Sequence, residues 1–159
     1  QVLLLSDLKQ VGVEVSSVWD LVNSSNGYDQ AIPILLDHLQ KHYPDKVKEG
    51  IARSLAIPKA RAAWSTLLCE YRKIDGLSSE WKGAKDGLAV ALTATATDAN
   101  LPELLQLIRD RSHGNSRVLL LPLLKRSKLP EVSQVINELK TDATLAKEIG
   151  TWGNPPNFH

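Results

Sequence analysis

Hydrophobic residues recur along the chain at the three- and four-residue spacing of an amphipathic helix. The stripes are Ile34, Leu35 and Leu39; Trp64, Leu67, Leu68 and Tyr71; Leu104, Leu105 and Ile108; and Val132, Val135, Ile136 and Leu139. Only residues 11–15 alternate as a strand would, and a lone strand has no partner with which to pair. The pattern therefore predicts an all-α fold.

Four dipeptides of an aliphatic residue and proline mark where these stripes begin. They are Ile32-Pro33, Ile57-Pro58, Leu101-Pro102 and Leu129-Pro130. Proline suits the first turn of a helix, because the N–H groups there have no intrahelical acceptor and because its fixed φ matches the helix. Each dipeptide therefore predicts the start of a unit, and each unit is expected to continue through a polar turn into a second helix.

One second-helix sequence returns almost unchanged about 37 residues later. Lys48-Glu49-Gly50-Ile51-Ala52 recurs as Lys85-Asp86-Gly87-Leu88-Ala89. A repeat of about 20 to 50 residues is typical of solenoids, in which each unit covers the apolar face of its neighbour. Glycine inside a helix costs about 1 kcal/mol relative to alanine, so Gly50 and Gly87 are predicted to lie where helices approach closely.

The chain is predicted to be a single domain with three parts. These are an N-terminal helical cap (1–27), about four helix pairs (28–152) and an irregular tail (153–159), which together make up the domain 1–159. Asp45 is predicted to cap the second helix of unit one, because Asp is a favoured N-cap residue. Pro122 is predicted to bend the second helix of unit three, because proline removes a backbone hydrogen bond.

Composition limits the classes of function. The chain has 19 lysines and arginines against 18 acids, a formal net charge of +1, which excludes bulk electrostatic attraction to nucleic acid or anionic lipid. No apolar run approaches the roughly 18 to 20 residues that span a bilayer, so no membrane contact is expected. The single Cys69 excludes an internal disulfide and is typical of a reducing compartment, so a cytoplasmic location is expected.

The helix pairs, with a proline in the first helix, an aspartate near the turn and a basic residue early in the second helix, resemble HEAT repeats of the short bacterial type. The residues that carry the resemblance are Pro33, Asp45 and Lys48 in unit one, Lys85 in unit two, and Pro102, Asp110 and Arg117 in unit three. The resemblance covers Tyr28 to about Trp152. It implies a short right-handed α-solenoid whose second helices line a concave surface, and it leaves the function open, since the family serves many partners.

Three basic residues of the second helices are candidates for partner binding. On the HEAT-like arrangement Lys48, Lys85 and Arg117 would stand in a row along the concave groove, and Arg53 would extend the same surface. The alternative is that each of the three pairs with a nearby acid and orients one repeat on the next. The acids in question are Asp45, Asp86 and Asp110, respectively.

The turn at residues 109–117 is the richest polar cluster of the chain. Arg111, His113 and Arg117 offer donors beside a helix N-terminus, which suits an anion or an acidic partner. The alternative is an ordinary repeat turn, in which Asp110 caps or pairs with Arg117, Gly114 supplies a left-handed bend and His113 is solvated. Both interpretations remain open from the sequence.

Catalytic and metal sites are not indicated. His38 and His42 have a spacing that binds zinc on a helix, but no glutamate follows the first histidine and no third ligand is evident, so the pair is interpreted as a surface coincidence. Cys69 is predicted to be buried packing rather than a nucleophile. The chain has no phosphate-binding loop, no nucleophile elbow and no suggestive carboxylate pair, so no cofactor is expected and an enzyme is the less favoured class.

The sequence therefore predicts a non-catalytic protein-binding module whose partly basic groove docks an acidic protein segment, and an inhibitor or immunity-type protein fits this description. The second hypothesis is a DNA-binding enzyme similar to the HEAT-like alkylpurine DNA glycosylases. The near-zero net charge argues against it. Trp64, which such a groove would expose, lies at core spacing with Leu67, Leu68 and Tyr71.

Overall fold

The computed structural model describes residues 1–24 and 26–152, and all regular elements of these residues are helical. The α-helices are α1 (Val2–Gln10), α2 (Trp19–Val22), α3 (Ile32–Leu39), α4 (Asp45–Ser54), α5 (Trp64–Lys73), α6 (Lys82–Thr95), α7 (Leu101–Arg109), α8 (Leu121–Arg126), α9 (Pro130–Leu139) and α10 (Ala143–Thr151). Shorter 3₁₀ segments cover Asp29–Ala31, Pro58–Ala63, Asp98–Asn100 and Arg111–Leu120. The predicted all-α fold is confirmed for this part of the chain. The predicted irregular tail, 153–159, lies outside the described residues.

The prolines stand where the sequence places the helix starts. Pro33, Pro102 and Pro130 occupy the first turns of α3, α7 and α9, and Pro58 opens the 3₁₀ segment that leads into α5. The missing N–H of each proline falls where a helix has no acceptor for it. All four predicted starts are therefore confirmed.

Pro122 does not bend a helix, contrary to the prediction. It lies in the first turn of α8, and the residues before it form the 3₁₀ segment Arg111–Leu120. Proline cannot donate within a helix interior, so the chain ends one helical segment and begins another at Leu121.

The helices pack as neighbours in chain order. α3 packs on α4, α5 on α6, α7 on the segment Arg111–Leu120, and α9 on α10. The second helices of successive pairs also contact one another: α4 contacts α6, α6 contacts Arg111–Leu120, and that segment contacts α10. α6 is therefore covered by α4 on one side and by Arg111–Leu120 on the other.

Close helix contact at the two mid-helix glycines is confirmed. A Cβ on Gly87 of α6 would lie 3.0 Å from the Glu49 carbonyl oxygen and 3.2 Å from the Ala52 Cβ of α4. On Gly50 it would lie 2.7 Å from a methyl carbon of Val18. The two glycines serve different contacts, Gly87 the approach of α6 to α4 and Gly50 the approach of α4 to the N-terminal residues.

A continuous apolar core runs through the helix pairs, built mainly from leucine with a few aromatic side chains. Trp64 is buried, and its Nε1 donates to the Leu92 carbonyl at 3.1 Å. Its predicted place in the core is confirmed. None of the helices formed by residues 1–24 and 26–152 is long and apolar enough to cross a bilayer.

Asp45 caps a helix, but not the predicted one. It is the first residue of α4, and its carboxylate accepts from Gly83 N at 3.2 Å and Ala84 N at 2.7 Å, in the first turn of α6. The carboxylate satisfies N–H groups that α6 cannot satisfy itself. Asp45 therefore joins unit one to unit two.

Candidate functional site

Lys85 is buried, with 2% of its surface exposed, and does not line an open groove. Its Nζ donates to the carbonyl oxygens of Tyr71 at 2.6 Å and Ile74 at 2.8 Å, and contacts His113 Nδ1 at 2.9 Å. Both carbonyls belong to the C-terminal end of α5, where the backbone supplies only the Ile74 N–H, to Tyr71 at 3.3 Å. Lys85 therefore ties α6 to α5 and to the turn of unit three.

The predicted pairing of Lys85 with Asp86 is not formed. Asp86 binds Lys82 at 3.0 Å on the surface of α6, one turn earlier. Burial lowers the pKa of Lys85 to about 8, against the raising influence of Asp110 and Asp75. Strong acceptors keep the ammonium in the interior, since a buried charge without partners would be costly.

Arg117 is also an interior residue, with 1% of its surface exposed. Its guanidinium donates to the carbonyls of Ile108 at 2.8 Å and Gly114 at 2.9 Å, and to both carboxylate oxygens of Asp142 at 2.8 and 3.3 Å. The same carboxylate caps α10 by accepting from Thr144 N. The partner of Arg117 is thus Asp142 of the next unit and not Asp110, which was predicted.

The predicted row of Lys48, Lys85 and Arg117 along an exposed groove is therefore wrong in two of its three members. Lys85 and Arg117 point to carbonyls at the ends of α5 and α7. Carbonyls at helix ends have few or no donors from the helix itself, and multi-donor cations satisfy several of them at once. The alternative prediction, that basic residues join one repeat to the next, describes their setting better, although the acids it named are not the partners.

The turn at residues 109–117 is mostly an internal structure. Asp110 caps it by accepting from Ser112 N at 3.0 Å, as one alternative predicted. Gly114 has φ 68° and ψ −147°, a conformation that only glycine adopts readily. His113 is buried against the ring of Tyr71, with 5.0 Å between ring centroids, so its predicted solvation is wrong.

Tyr71 and Ser116 complete this interior polar cluster. The Tyr71 hydroxyl and Ser116 Oγ share a hydrogen bond of 2.6 Å, and Ser116 Oγ donates to the His113 carbonyl at 2.9 Å. Burial raises the pKa of Tyr71 to about 12. All these polar atoms have partners inside the protein, so the cluster is a structural connection between units two and three.

Arg53 and Arg111 lie nearer the surface and are both beside carboxylates. Arg53 Nε donates to Glu49 at 2.7 Å within α4. Arg111 has a side chain that is 74% exposed, and its Nε lies 3.6 Å from Asp142. Arg111 shares this carboxylate with the buried Arg117.

Lys48 lines a cavity that also contains aromatic side chains. This cavity, called here the aromatic cavity, has a volume of about 450 Å³ and lies between the turn before α4 and the segment before α6. Its lining residues are His42, Tyr43, Lys48, Lys73, Ile74, Asp75, Ser78, Glu80 and Trp81. Two aromatic rings and an isoleucine thus surround two lysines at a place where the sequence predicted only one candidate.

The lysines of the aromatic cavity share one buried counter-ion. Lys73 Nζ donates to Glu70 at 2.7 Å, whereas Lys48 Nζ lies 3.9 Å from the other oxygen of Glu70, beyond hydrogen-bond distance. Within residues 1–24 and 26–152, Lys48 Nζ makes no hydrogen bond. An ammonium with three donors therefore borders the cavity with its hydrogen-bonding capacity unused by the described chain.

Tyr43 is fixed in the wall of the aromatic cavity by a buried histidine. His38 Nδ1 lies 2.7 Å from the Tyr43 hydroxyl oxygen, and His38 Nε2 lies 2.7 Å from Asp7 Oδ2 of α1. His38 is fully buried, so its interpretation as a surface coincidence is wrong. Sequence reasoning missed this connection because Asp7 is 31 residues away from His38.

A second, polar pocket of about 170 Å³ lies on the other side of the segment that follows α5. Lys85 and Ser116 are among its lining residues, and Ser78 borders both this pocket and the aromatic cavity. The segment 74–81 is therefore the wall between the two.

The described part of the chain holds no group of three or more histidine, cysteine and acidic side chains arranged to bind a metal ion. Cys69 is exposed, contrary to the prediction of buried packing. Its position on α5 faces away from the side that carries Leu67, Leu68 and Tyr71 into the core.

Comparison of the chain with protein-family models, with curated proteins and with solved structures finds no significant match.

Proposed function

We propose that this chain is a non-catalytic protein-binding module, a short right-handed α-solenoid of HEAT-like helix pairs, that docks an acidic protein segment in the aromatic cavity. The order of helix contacts supports the solenoid, since each pair packs on the next in the sequence. Asp45, Lys85 and Arg117 support it further, because each reaches from a second helix or its turn to the following unit.

The observation that carries the binding proposal is the setting of Lys48. Its ammonium has unused donors beside two partly buried aromatic rings, Tyr43 and Trp81. Aromatic side chains provide large contact area with little conformational entropy to lose, and they dominate the energetics of many interfaces. An apolar side chain of a partner would contact the rings while a neighbouring carboxylate meets Lys48.

Charge complementarity on one side of the cavity favours an acidic segment. Lys48 and Lys73 share the single carboxylate of Glu70, so the wall formed by α4 and α5 has one positive charge in excess. Asp75, which also lines the cavity, accepts a hydrogen bond from its own segment at Leu77 N. Glu80 also lines the cavity, so the partner carboxylates are expected at Lys48 and Lys73, on the side of α4 and α5. An inhibitor or immunity-type protein that binds another protein through such a segment fits the proposal.

The DNA-binding alternative has no comparable support. The basic residues on the surfaces of α4 and α6 lie beside acids, as in the pairs Arg53–Glu49 and Lys82–Asp86. Trp64, the aromatic side chain that the groove of such an enzyme would need, is in the core.

The test is a peptide array probed with the labelled protein, containing heptapeptides of three kinds: acidic with one Trp or Phe, acidic without an aromatic residue, and basic with one Trp or Phe. We expect retention of the first kind and loss of that retention in Lys48→Met. Lys46→Met is the matched control, because it removes the same charge from the same helix at a side chain that is 77% exposed and lies over Trp19, outside the cavity.

Equal retention of all three kinds would contradict the proposed specificity. Unchanged retention by Lys48→Met would remove the aromatic cavity as the binding site. Duplex DNA at low salt forms a fourth arm, in which tight binding that weakens steeply with added salt would favour the nucleic-acid alternative.

A further inference from the structure

The segment 74–81 determines the shape of the aromatic cavity, and three contacts hold it in place. Lys85 Nζ donates to the Ile74 carbonyl. The backbone of Gly76 crosses that of His113 and Gly114 so closely that a Cβ on either glycine would overlap the opposite chain. At its other end, Trp81 is the N-cap residue of α6. The position of Ile74 in the cavity wall therefore depends on where Lys85 and the turn at His113 lie.

The contact between Lys85 and His113 imposes one protonation state. A lysine ammonium has three N–H donors and no acceptor, and the two other contacts of Nζ are to carbonyl oxygens. The His113 Nδ1 at 2.9 Å must therefore accept. The ring is then neutral, with its proton on Nε2, which faces Asp110 at 3.5 Å.

Protonation of His113 would turn this hydrogen bond into a repulsion. The imidazolium would carry a proton on Nδ1 and present it to the ammonium 2.9 Å away. The charged and titratable groups around the ring are Lys85 of α6, Tyr71 and Arg72 of α5, and Asp110 and Arg117 on either side in the chain. Of these only Asp110 is an acid, and its side chain is 51% exposed.

We propose that the Lys85–His113 contact is a pH-sensitive latch: acidification releases the segment 74–81 and thereby weakens binding in the aromatic cavity. The latch itself rests only on the contacts of Lys85, His113 and the two glycines. Its effect on a ligand rests in addition on the proposed function.

The direction of the pKa shift agrees with the geometry. Burial and the Lys85 ammonium lower the pKa of His113 below its ordinary value of 6.5, against the raising influence of Asp110. Because the folded protein holds the His113 ring neutral, the contribution of this contact to the free energy of unfolding is fully present above pH 6.5. It is lost as the pH falls from 6.5 to the lower folded-state pKa.

The first experiment uses the protein without ligand. Hydrogen exchange of the backbone amides of Ile74, Leu77 and Ser78, which donate hydrogen bonds to Tyr71 and Asp75, is corrected for intrinsic rates and measured by NMR between pH 7.5 and pH 5. A hydrogen bond to a charged group corresponds to about a tenfold change or more in an opening equilibrium. We therefore expect the protection of these amides to fall about tenfold or more on acidification, while amides in α7 lose less.

His113→Asn separates the latch from other titrations, because the Asn Oδ1 takes the place of Nδ1 as an acceptor and does not gain a proton in this range. We expect this variant to keep its protection at pH 5. His42→Asn is the control: it removes the exposed histidine that lines the aromatic cavity, and it should retain the full pH dependence. Equal pH dependence in wild type and His113→Asn would overturn the latch.

The second experiment measures binding of an acetylated Asp-Glu-Trp-Glu-Asp pentapeptide by calorimetry at pH 7.5 and pH 5. We expect about tenfold weaker binding at pH 5 in wild type and no such change in His113→Asn. Absence of binding at pH 7.5 as well as at pH 5 would contradict the proposed function while leaving the amide-exchange result to decide the latch. If the peptide bound wild type equally well at both pH values while the amide exchange did change with pH, the proposed effect of the latch on the aromatic cavity would be overturned.

Discussion

Lys48 and Lys85 occupy the same position in the repeated sequence, yet their surroundings are opposite. Lys85 is enclosed, because α6 is covered by α4 on one side and by Arg111–Leu120 on the other, and the end of α5 supplies acceptors. Lys48 lies on α4, near the start of the series of pairs, and faces a cavity. The same residue type in the same register is thus hydrogen-bonded in the interior in one helix and borders a cavity in the other.

The largest effect is expected at the third basic residue of this series, Arg117. In Arg117→Met the buried Asp142 carboxylate loses its partner, and breaking a buried pair in this way costs about 3–5 kcal/mol. The free energy of unfolding is measured by urea titration. Arg111→Met, which removes an exposed arginine near the same carboxylate, is expected to lose less than about 1 kcal/mol. A similar loss of the free energy of unfolding in Arg117→Met and Arg111→Met would show that burial of the arginine does not determine its contribution to stability.

A direct test compares the two lysines of the repeat. Lys85→Met removes the charged donor to the carbonyls of Tyr71 and Ile74, and we expect it to lower the free energy of unfolding by about 2–4 kcal/mol. Lys48→Met removes only an ion pair at 3.9 Å and is expected to cost less than about 1 kcal/mol. Thermal and urea unfolding of the two variants side by side provide the measurement. If both lost the same stability, the comparison between them would fail.

A smaller effect is expected from the spacing of α4 and α6, which carry the two lysines. Gly87→Leu forces a side chain against the Glu49 carbonyl and Ala52, and overpacking of this kind costs about 1–3 kcal/mol. Gly150→Ala is the control, since nothing lies within 4 Å of its added Cβ in α10. Its better helix propensity is expected to raise stability by up to about 1 kcal/mol. An unchanged melting temperature for Gly87→Leu would contradict the close approach.

Local rules predicted the helix starts well, because proline acts on its own backbone. Pro33, Pro102 and Pro130 have no N–H to donate, whatever lies around them, and the first turn of a helix is where this costs least. The role of Gly87 was predictable for a related reason: a mid-helix glycine is costly unless another backbone comes near. Both signals are contained in a few neighbouring residues.

The contacts of the polar residues could not be predicted in the same way. The Asp45 carboxylate accepts from a backbone N–H of α6, and Lys85 of α6 donates to carbonyls at the end of α5. Arg117 binds Asp142. Each of these partners lies between 11 and 39 residues away. A long side chain finds whichever unpaired group packing brings near, and nearness in sequence is a poor guide to it. The aromatic cavity was missed for this reason, since its walls come from two turns.

The crossing of Gly76 with the His113–Gly114 backbone has a consequence for folding kinetics. It joins segments that only meet after units two and three have packed, so it is expected to form after the transition state rather than before it. Interactions of this kind slow unfolding and leave the folding rate nearly unchanged. The crossing is therefore a place where the lifetime of the native state, rather than the speed of reaching it, is set.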